Sequence, residues 1–318
     1  MTPTQLRAFA AVVRLGSVKQ AAAELSVSES AVSLLVGQLR KELGDQLFSR
    51  TAAGLAFTPG GLRLASRAGE LLGLQHRTVL EVSQAGRGRR LLRVAASSLF
   101  AEHAAPGLIK LFADRADDLD VELSVSNPKH FNTLLVSRAA DVAIGPQPGT
   151  VEPAVVCKPF MNYKLVVVVG ADHPFAKGVA HAHQLRDQIW LLGPSGATEG
   201  GTVWKLLRRL GVPEEHQQIF QSHAAALEEP KRSKGVAVAL ASAVAQDVTS
   251  GYLVRLNGPQ LQADAVWCTL TLAARDTPPV AAELTRFVAT PRAIQAMLRG
   301  AGVNVGHFKP SIHITLWS

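Results

Sequence analysis

A set of short side chains on one face of a predicted helix is the clearest chemical feature of the sequence. From Ser28 onward, a helical spacing is kept by the apolar residues Ala31, Val32, Leu35 and Leu39, which are expected to face inward. The opposite face then carries Ser28, Glu29, Ser30, Ser33, Leu34 and Gly37. The major groove of DNA admits one α-helix, and short side chains let its backbone approach the base edges. This face is therefore a candidate base-reading surface; the alternative is the ordinary solvated face of a helical bundle.

Basic residues close to this face are candidates for phosphate contacts. Arg40 and Lys41 follow it along the helix, and Arg50 lies beyond the helix end. Residues 1–90 hold twelve Lys and Arg against six Asp and Glu, and so account for most of the chain's net charge of +8. Glu29 either accepts a hydrogen bond from cytosine N4 or stabilises the positive end of the helix dipole. The dipole role is favoured, because an unpaired acid near phosphates is unfavourable.

Two shorter helices are predicted to position this surface. The first has an inward face of Leu6, Phe9, Ala10 and Val13 and stops at Gly16. The second is capped by Ser17, with Gln20 reaching back as in a capping box, and buries Ala21, Ala22 and Leu25. Three helices with a tight turn before the third are typical of a helix-turn-helix unit.

The first 60 or so residues resemble the N-terminal domain of LysR-type transcriptional regulators. The matching positions are Leu6-Arg7-Ala8-Phe9, Gly16-Ser17, Ala21-Ala22, Leu25, Ser28, Ala31-Val32-Ser33, Leu39, Glu42-Leu43-Gly44, Leu47-Phe48, Arg50, Thr58 and Gly61. The resemblance implies a winged helix-turn-helix domain over residues 1–58, with a hairpin wing at residues 51–57. Glu29-Ser30 and Leu34 depart from the Gln-Pro and the polar or basic residue common in the family, so the operator sequence is not carried over. Leu34 is instead a candidate contact for a thymine methyl group.

A long helix is predicted from Pro59 to about Ala85, with Thr58 as its cap and Pro59 as its first residue. It carries more apolar residues than a single solvated helix needs, and these pack either on the chain's own body or against a second helix. The resemblance implies pairing across a dimer, which assigns residues 59–90 to a linker and dimerisation helix with a charged hinge at residues 86–90. A symmetric pair of reading helices then predicts a pseudo-palindromic DNA site.

Beyond the hinge, residues 91–318 alternate between strand and helix patterns. Strands are predicted at 91–96, 119–126 and 141–145, with helices at 102–115 and 128–138 between them. A second series begins at 164 and continues with strands at 189–192, 217–221 and 235–240, a helix at 198–210, and a return through 267–274 and a helix at 280–298. The prediction is therefore an α/β domain of two lobes, lobe I at about 91–163 and 267–300 and lobe II at about 164–266. This plan resembles the family's effector-binding domain, which is itself similar to periplasmic solute-binding proteins.

Polar residues follow the predicted strands of both lobes, where open α/β sheets bind ligands. The candidate effector-binding residues are Ser97, Ser98, Asn127, Gly145, Pro146, Ser195, Thr198, Ser222 and His223. Hydroxyls, amides and backbone N–H groups converging on one cleft favour a small anion, so the effector is expected to be a carboxylate or phosphate. For any single residue, ordinary helix capping is an equal alternative.

Other classes of protein are less well supported by the sequence. Residues 193–201 lack the Lys of a P-loop, and neither a GxSxG elbow nor HExxH spacing occurs, so no catalytic residue, metal site or cofactor is predicted. The remaining alternative is an enzyme or solute-binding protein for a small organic acid with an appended helical domain. No secretory leader precedes the helical head, which argues against a transport-type binding protein. Cys157 and Cys268 form no CxxC motif and are interpreted as buried hydrophobes rather than a redox pair.

The resulting expectation is a cytoplasmic regulator of LysR type that does not associate with a membrane. Its expected partners are double-stranded DNA, a small-molecule effector, further copies of the chain in a dimer of dimers, and RNA polymerase. Two segments resist assignment by resemblance. Pro230 predicts a turn at residues 228–232 that alters access to the cleft. The tail at 300–318 is predicted either as an edge strand at an oligomer contact or as disordered.

Overall fold

The structure is a computed structural model that describes residues 1–51, 54–86, 88–177, 182–258 and 260–299. The chain divides into two compact units. The first comprises residues 1–88 together with 136–139, and the second comprises residues 89–135 and the chain from residue 140 onward. The predicted tail strand and Arg87 of the predicted hinge lie outside the described residues.

The first unit opens with three helices, α1 (Pro3–Leu15), α2 (Val18–Glu24) and α3 (Glu29–Leu43). Gly16, in the left-handed region at φ 66°, ends α1, as predicted. The side chains of Ser17 and Ser28 accept hydrogen bonds from the backbone N–H groups three residues later, which fixes where α2 and α3 begin. The predicted cap at Ser17 is thereby confirmed, whereas the return contact from the Gln20 side chain is not among the described hydrogen bonds.

A hairpin and a long helix complete this unit. Strands β1 (Phe48–Thr51) and β2 (Gly54–Phe57) pair antiparallel, so the hairpin begins three residues before the predicted range. Helix α4 (Pro59–Ala85) has the predicted bounds, and the Thr58 hydroxyl accepts a hydrogen bond from the Gly61 N–H at 2.9 Å. Phe48 stacks on Phe9 with ring centroids 6.1 Å apart, which joins the hairpin to the core of the three helices.

The second unit is an α/β domain built on one mixed sheet. In chain order its elements are β3 (Arg90–Ala96), α5 (Ser98–His103), α6 (Ala105–Ala113), β4 (Leu119–Val125), α7 (Phe131–Val136), β5 (Val142–Pro146), β6 (Val155–Gly170), α8 (Ala182–Arg186), β7 (Trp190–Leu192), α9 (Thr202–Leu210), β8 (Gln217–Ile219), α10 (His223–Lys231), β9 (Val236–Leu240), α11 (Ala245–Thr249), β10 (Leu253–Arg255), β11 (Gln262–Leu272), α12 (Pro279–Phe287) and α13 (Pro291–Arg299). Among these elements the strand order is β4-β3-β5-β11-β6-β9-β7-β8, and β10 also pairs with β6.

Two long strands connect the lobes. In lobe I, β3 pairs parallel with β4 and β5, and in lobe II, β7 pairs parallel with β8 and β9. Strands β6 and β11 pair antiparallel from Val155 to Val166 and extend into both lobes, since β11 also pairs with β5 and β6 also pairs with β9. The observed β6 begins nine residues before the predicted start at Lys164, because its first half is only partly buried and gives no continuous apolar run.

Two predicted helices are divided in the structure, and a third begins later than predicted. The predicted helix 102–115 is two helices, α5 and α6, and Pro106 lies in the first turn of the second. The predicted helix 198–210 begins only at Thr202, because Gly200 takes a positive φ of 72° and a short 3₁₀ turn occupies Pro194–Ala197. The predicted helix 280–298 is divided into α12 and α13, and Pro291 starts the second.

The predicted turn at residues 228–232 is wrong for most of its length. Helix α10 continues to Lys231 with Pro230 inside it. Pro230 is tolerated there because it lies in the last turn, where its missing N–H removes one terminal hydrogen bond without interrupting a longer helix. Among the described helices, none combines the length and the apolar character needed to cross a membrane.

Candidate DNA-binding and effector sites

The predicted base-reading residues lie on the exposed face of α3. Ser28 caps the helix, and its hydroxyl lies 2.9 Å from the hydroxyl of Ser30. Glu29, Ser30 and Ser33 are exposed, and the Leu34 side chain is 62% exposed. Val32, Val36 and Leu39 are buried on the opposite side. The side chains on this face are therefore mostly short and polar, and they are accessible at the N-terminal end of the helix.

The predicted phosphate contacts differ in their surroundings. Lys41 is exposed near the C-terminal end of α3. Arg50 pairs with Leu55 through the backbone of the β1–β2 hairpin, and its side chain lies outside the described residues. Arg40 also makes contacts within the helical unit, and its role towards phosphates stays a prediction. Its Nη2 donates to the Phe48 carbonyl at 2.6 Å, and its guanidinium lies 4.6 Å from the Phe48 ring centre.

The hairpin is anchored by a polar cluster that the sequence analysis missed. One carboxylate oxygen of Asp45 accepts hydrogen bonds from the Leu47 N–H and the Thr58 hydroxyl, both at 2.6 Å. These hydrogen bonds hold the pKa of Asp45 below its usual value. Together with Arg40, the cluster fixes the hairpin relative to the end of α3 and the start of α4.

In lobe I, the structure brings Ser97 and Gly145 together. The Ser97 N–H donates to the Ile144 carbonyl at 2.9 Å, and a Cβ on Gly145 would lie 3.2 Å from the Ser97 Cβ and 2.7 Å from a carbon of the Phe131 ring. The Ser97 hydroxyl is buried and has no hydrogen-bond partner in the described part of the chain. Ser98 is the first residue of α5, and Asn127 uses its side chain to accept from the Lys129 N–H at 3.1 Å.

Two further buried polar atoms have no hydrogen-bond partner among the described residues. Asn132 follows Phe131, whose ring contacts the Gly145 position, and its Oδ1 is unpaired within the described residues. Trp267 pairs with Pro146 across the sheet, and its Nε1 is likewise unpaired there. Its indole stacks on the Tyr163 ring at 4.7 Å, so it is rigidly held. Neither residue was predicted, because each becomes visible only when packing leaves it buried without a partner.

In lobe II, Ser195 and His223 are in contact, and a residue of lobe I joins them. The Ser195 hydroxyl lies 2.9 Å from Nε2 of His223, and Nδ1 of His223 lies 2.9 Å from Oε2 of Glu102 on α5. Glu102 also accepts hydrogen bonds from the backbone N–H groups of His223 at 2.8 Å and Ala224 at 2.6 Å. Of the other predicted residues in lobe II, Ser222 caps α10, and Thr198 is half-buried after the 3₁₀ turn.

The charge of Glu102 is stabilised by these donors. Burial alone would raise the pKa of Glu102, but the hydrogen bonds from the His223 ring and from two backbone N–H groups hold it at about 2. Glu102 was not predicted, because its partners lie more than 100 positions away along the chain. Glu102 thus connects α5 of lobe I to the start of α10 in lobe II.

The two cysteines are neighbours in the structure. Leu270 pairs with Cys157 across β6 and β11, which places Cys157 diagonally opposite the fully buried Cys268. Burial, with a smaller contribution from Cys157, raises the pKa of Cys268 to about 12. Cys268 is accordingly protonated and packed as a small apolar residue.

Comparison with known proteins agrees with the resemblance seen in the sequence. A family model described as the bacterial regulatory helix-turn-helix protein, lysR family, matches residues 3–62. A second, the LysR substrate binding domain, matches residues 85–291. An uncharacterized HTH-type transcriptional regulator of Mycobacterium tuberculosis (strain CDC 1551 / Oshkosh) is 54% identical over 321 residues and covers 100% of both chains. The RuBisCO operon transcriptional regulator of Allochromatium vinosum is 27% identical over 89% of this chain and 94% of its own.

Solved structures share the fold at low identity. Full-length CbnR complexed with its target DNA has a TM-score of 0.56 at 18% identity, covering 94% of this chain and 100% of its own. ArgP from Mycobacterium tuberculosis has a TM-score of 0.56 at 20% identity, covering 94% and 96%. The matching families and relatives are transcriptional regulators and not enzymes. With family models matching both units and a relative aligned along the whole chain, this protein belongs to the LysR family of DNA-binding transcriptional regulators.

Proposed function

We propose that this regulator reads its operator as a symmetric dimer and that a small anionic metabolite, a carboxylate or phosphate, bound between lobes I and II changes that reading. The proposed reading surface is the exposed face of α3, with Ser30, Ser33 and Leu34 towards base edges and Lys41 towards phosphates, and Arg50 of β1 is retained as a further proposed phosphate contact. CbnR, which has the same fold, is seen in complex with its target DNA, and this supports the assignment to the helical unit.

The observation that carries the effector proposal is the buried hydroxyl of Ser97, which is unpaired among the described residues and whose Cβ lies 3.2 Å from the position of a Cβ on Gly145. A buried polar group without a partner costs roughly 1–3 kcal/mol, so a ligand that pairs with it is favoured. Trp267 Nε1 can only donate and the Ser97 hydroxyl can do so, which favours the acceptor oxygens of an anion.

Dimerisation is supported by the surface of α4. Among the apolar side chains of α4, Leu62, Leu74, Val79 and Val82 are 57%, 46%, 61% and 69% exposed. Several large exposed apolar side chains on one helix are unfavourable in water and are covered when two copies pair. We therefore assign α4 to the contact between two copies, and a dimer of dimers is the assembly that we propose.

The effector proposal is tested by calorimetry on the full-length chain with a panel of small carboxylates and phosphorylated metabolites. We expect one member to bind, and we expect Ser97→Ala to lower its affinity about tenfold through the loss of one hydrogen bond. Ser250→Ala, at the end of α11 and away from Gly145, is the matched control and should bind as the wild type does. An effector whose affinity is the same for both variants would exclude Ser97 from the site, and binding by none of the panel would contradict the anion class.

A further inference from the structure

The interlobe cluster around Glu102 contains more than a hydrogen-bonded pair. Glu102 and His103 end α5 in lobe I, and His223 begins α10 in lobe II. One possible ligand atom from each of the three side chains lies within 4.8 Å of the other two. The rings of His103 and His223 meet edge to face with their centroids 5.7 Å apart. Two imidazoles and a carboxylate thus converge from both lobes.

We propose that Glu102, His103 and His223 form a binding site for a divalent transition-metal ion of the Zn²⁺ class. This site goes beyond the proposed anionic effector and does not depend on it. Two imidazole nitrogens and one carboxylate oxygen are the borderline ligands that such ions prefer, whereas Mg²⁺ and Ca²⁺ require oxygen-rich sites.

The distances allow a metal with small side-chain movements. Metal–ligand bonds of about 2.0–2.2 Å in a tetrahedral site place neighbouring ligand atoms roughly 3.4 Å apart. Nδ1 of His223 and Oε2 of Glu102 are 2.9 Å apart and must separate by about half an ångström. The remaining separations, all under 4.8 Å, must shorten by at most about 1.4 Å, which rotation of the half-buried His103 ring can supply.

The surroundings of the three ligands fit the requirements of a metal site. A ligating histidine commonly donates its other ring N–H to a neighbour that holds the ring in place. With Nδ1 of His223 on the metal, Nε2 carries the proton and donates it to the Ser195 hydroxyl, which lies 2.9 Å away. A neutral His223 ring with its proton on Nδ1 must change tautomer when the metal takes that position: the Nδ1 proton leaves to solvent, Nε2 gains one from solvent, and no net proton is released. Glu102 keeps its hydrogen bond from the Ala224 N–H through its other oxygen.

The placement of His103 supports the same interpretation. A cluster held only by hydrogen bonds would account for the positions of the Glu102 and His223 side chains, but not for the position of the His103 ring. This ring makes no hydrogen bond in the described part of the chain and is nevertheless held against His223. Three protein ligands leave one coordination position open for water or another small ligand.

The test uses the full-length chain, freed of metal by a chelator and then dialysed against Zn²⁺, with bound metal counted by mass spectrometry. We expect one Zn²⁺ for each chain. His103→Gln and His223→Gln should each weaken binding by about 100-fold or more, because each removes a direct ligand. His130→Gln, on an exposed histidine outside the cluster, is the control and should bind as the wild type does.

His103→Gln is the decisive variant, because loss of His103 breaks no described hydrogen bond. Its thermal unfolding without metal should match that of the wild type, which separates lost coordination from misfolding. Co²⁺ provides a second readout, and its visible absorption bands should indicate a four- or five-coordinate nitrogen and oxygen site that His103→Gln abolishes. A wild-type chain without bound Zn²⁺, or equal binding by wild type and His103→Gln, would overturn the proposal and leave a hydrogen-bonded cluster only.

Discussion

We propose that individual side chains on α3 divide into those that read bases and those that hold phosphates. Ser33 and Leu34 lie in the middle of the exposed face, whereas Lys41 lies about two turns further towards the C-terminal end of the helix. Arg40, between the two groups in sequence, is bound to the hairpin by its hydrogen bond to Phe48. This separation makes two substitutions informative. A phosphate contact strengthens binding to DNA of any sequence, whereas a base contact strengthens binding only to the sequence that it recognises.

We expect Ser33→Ala to reduce sequence discrimination and Lys41→Ala to reduce affinity for all duplexes. Loss of one base contact should weaken binding to the operator by about 1 kcal/mol, or roughly fivefold, with little effect on random DNA. Loss of one phosphate contact should reduce the slope of log affinity against log salt by about 1. Fluorescence anisotropy on a duplex selected by the wild-type chain and on a random duplex measures both. Equal losses on the two duplexes for Ser33→Ala would show that Ser33 does not read bases.

At the scale of elements, the junction between the hairpin and α4 depends on the absence of a side chain at Gly61. A Cβ on Gly61 would lie 1.7 Å from the Leu47 carbonyl oxygen, a distance that no rearrangement of a side chain can relieve. The first turn of α4 therefore lies directly against the backbone that leads into β1. The polar cluster of Asp45 and Thr58 occupies the same junction.

We expect Gly61→Ala to lower the free energy of unfolding of the helical unit by about 1–3 kcal/mol, because the hairpin and α4 must move apart. Gly37→Ala is the matched control. Gly37 lies on the exposed face of α3 with no atom within 4 Å of its Cβ position, so alanine should raise stability by roughly 0.8–1.0 kcal/mol through its higher helix propensity. Urea denaturation followed by circular dichroism tests both. A Gly61→Ala chain as stable as the wild type would mean that the junction is not closely packed in solution.

Elements with local signals were predictable, and those governed by distant packing were not. Thr58 and Pro59 set the start of α4, and Gly16 set the end of α1, because capping depends on residues only a few positions apart. The division between α5 and α6 was not predicted, although Pro106 is visible in the sequence. Proline is tolerated near the start of a helix, so its presence does not by itself mark a break between two helices. At the candidate effector site, Ser195 and His223 were predicted from their positions after strands. Glu102, which holds them, required knowledge of how lobe I packs on lobe II.

At the scale of the whole molecule, the proposed function depends on two copies being held together through α4. We expect Val79→Glu to weaken dimerisation by at least tenfold, because it places a charge in an apolar contact. Sedimentation analysis over a range of concentrations measures the change, and operator affinity should fall with it. Val151→Glu, at a valine that is 40% exposed in the second unit, is the control and should dimerise normally. An unchanged dimer in Val79→Glu would show that another surface joins the copies.

The two strands shared by the lobes have a mechanical consequence. β6 and β11 form a continuous two-stranded ribbon, and their register shifts between Trp267 and Cys268. An irregularity of this kind locally weakens the ladder and bends the strand. If the lobes rotate against each other, we expect the ribbon to bend at this irregularity, next to the residue whose indole N–H is unpaired among the described residues. A ligand that accepted a hydrogen bond from this N–H would bind at the bending point of the ribbon. Its binding would then be coupled directly to the angle between the two lobes.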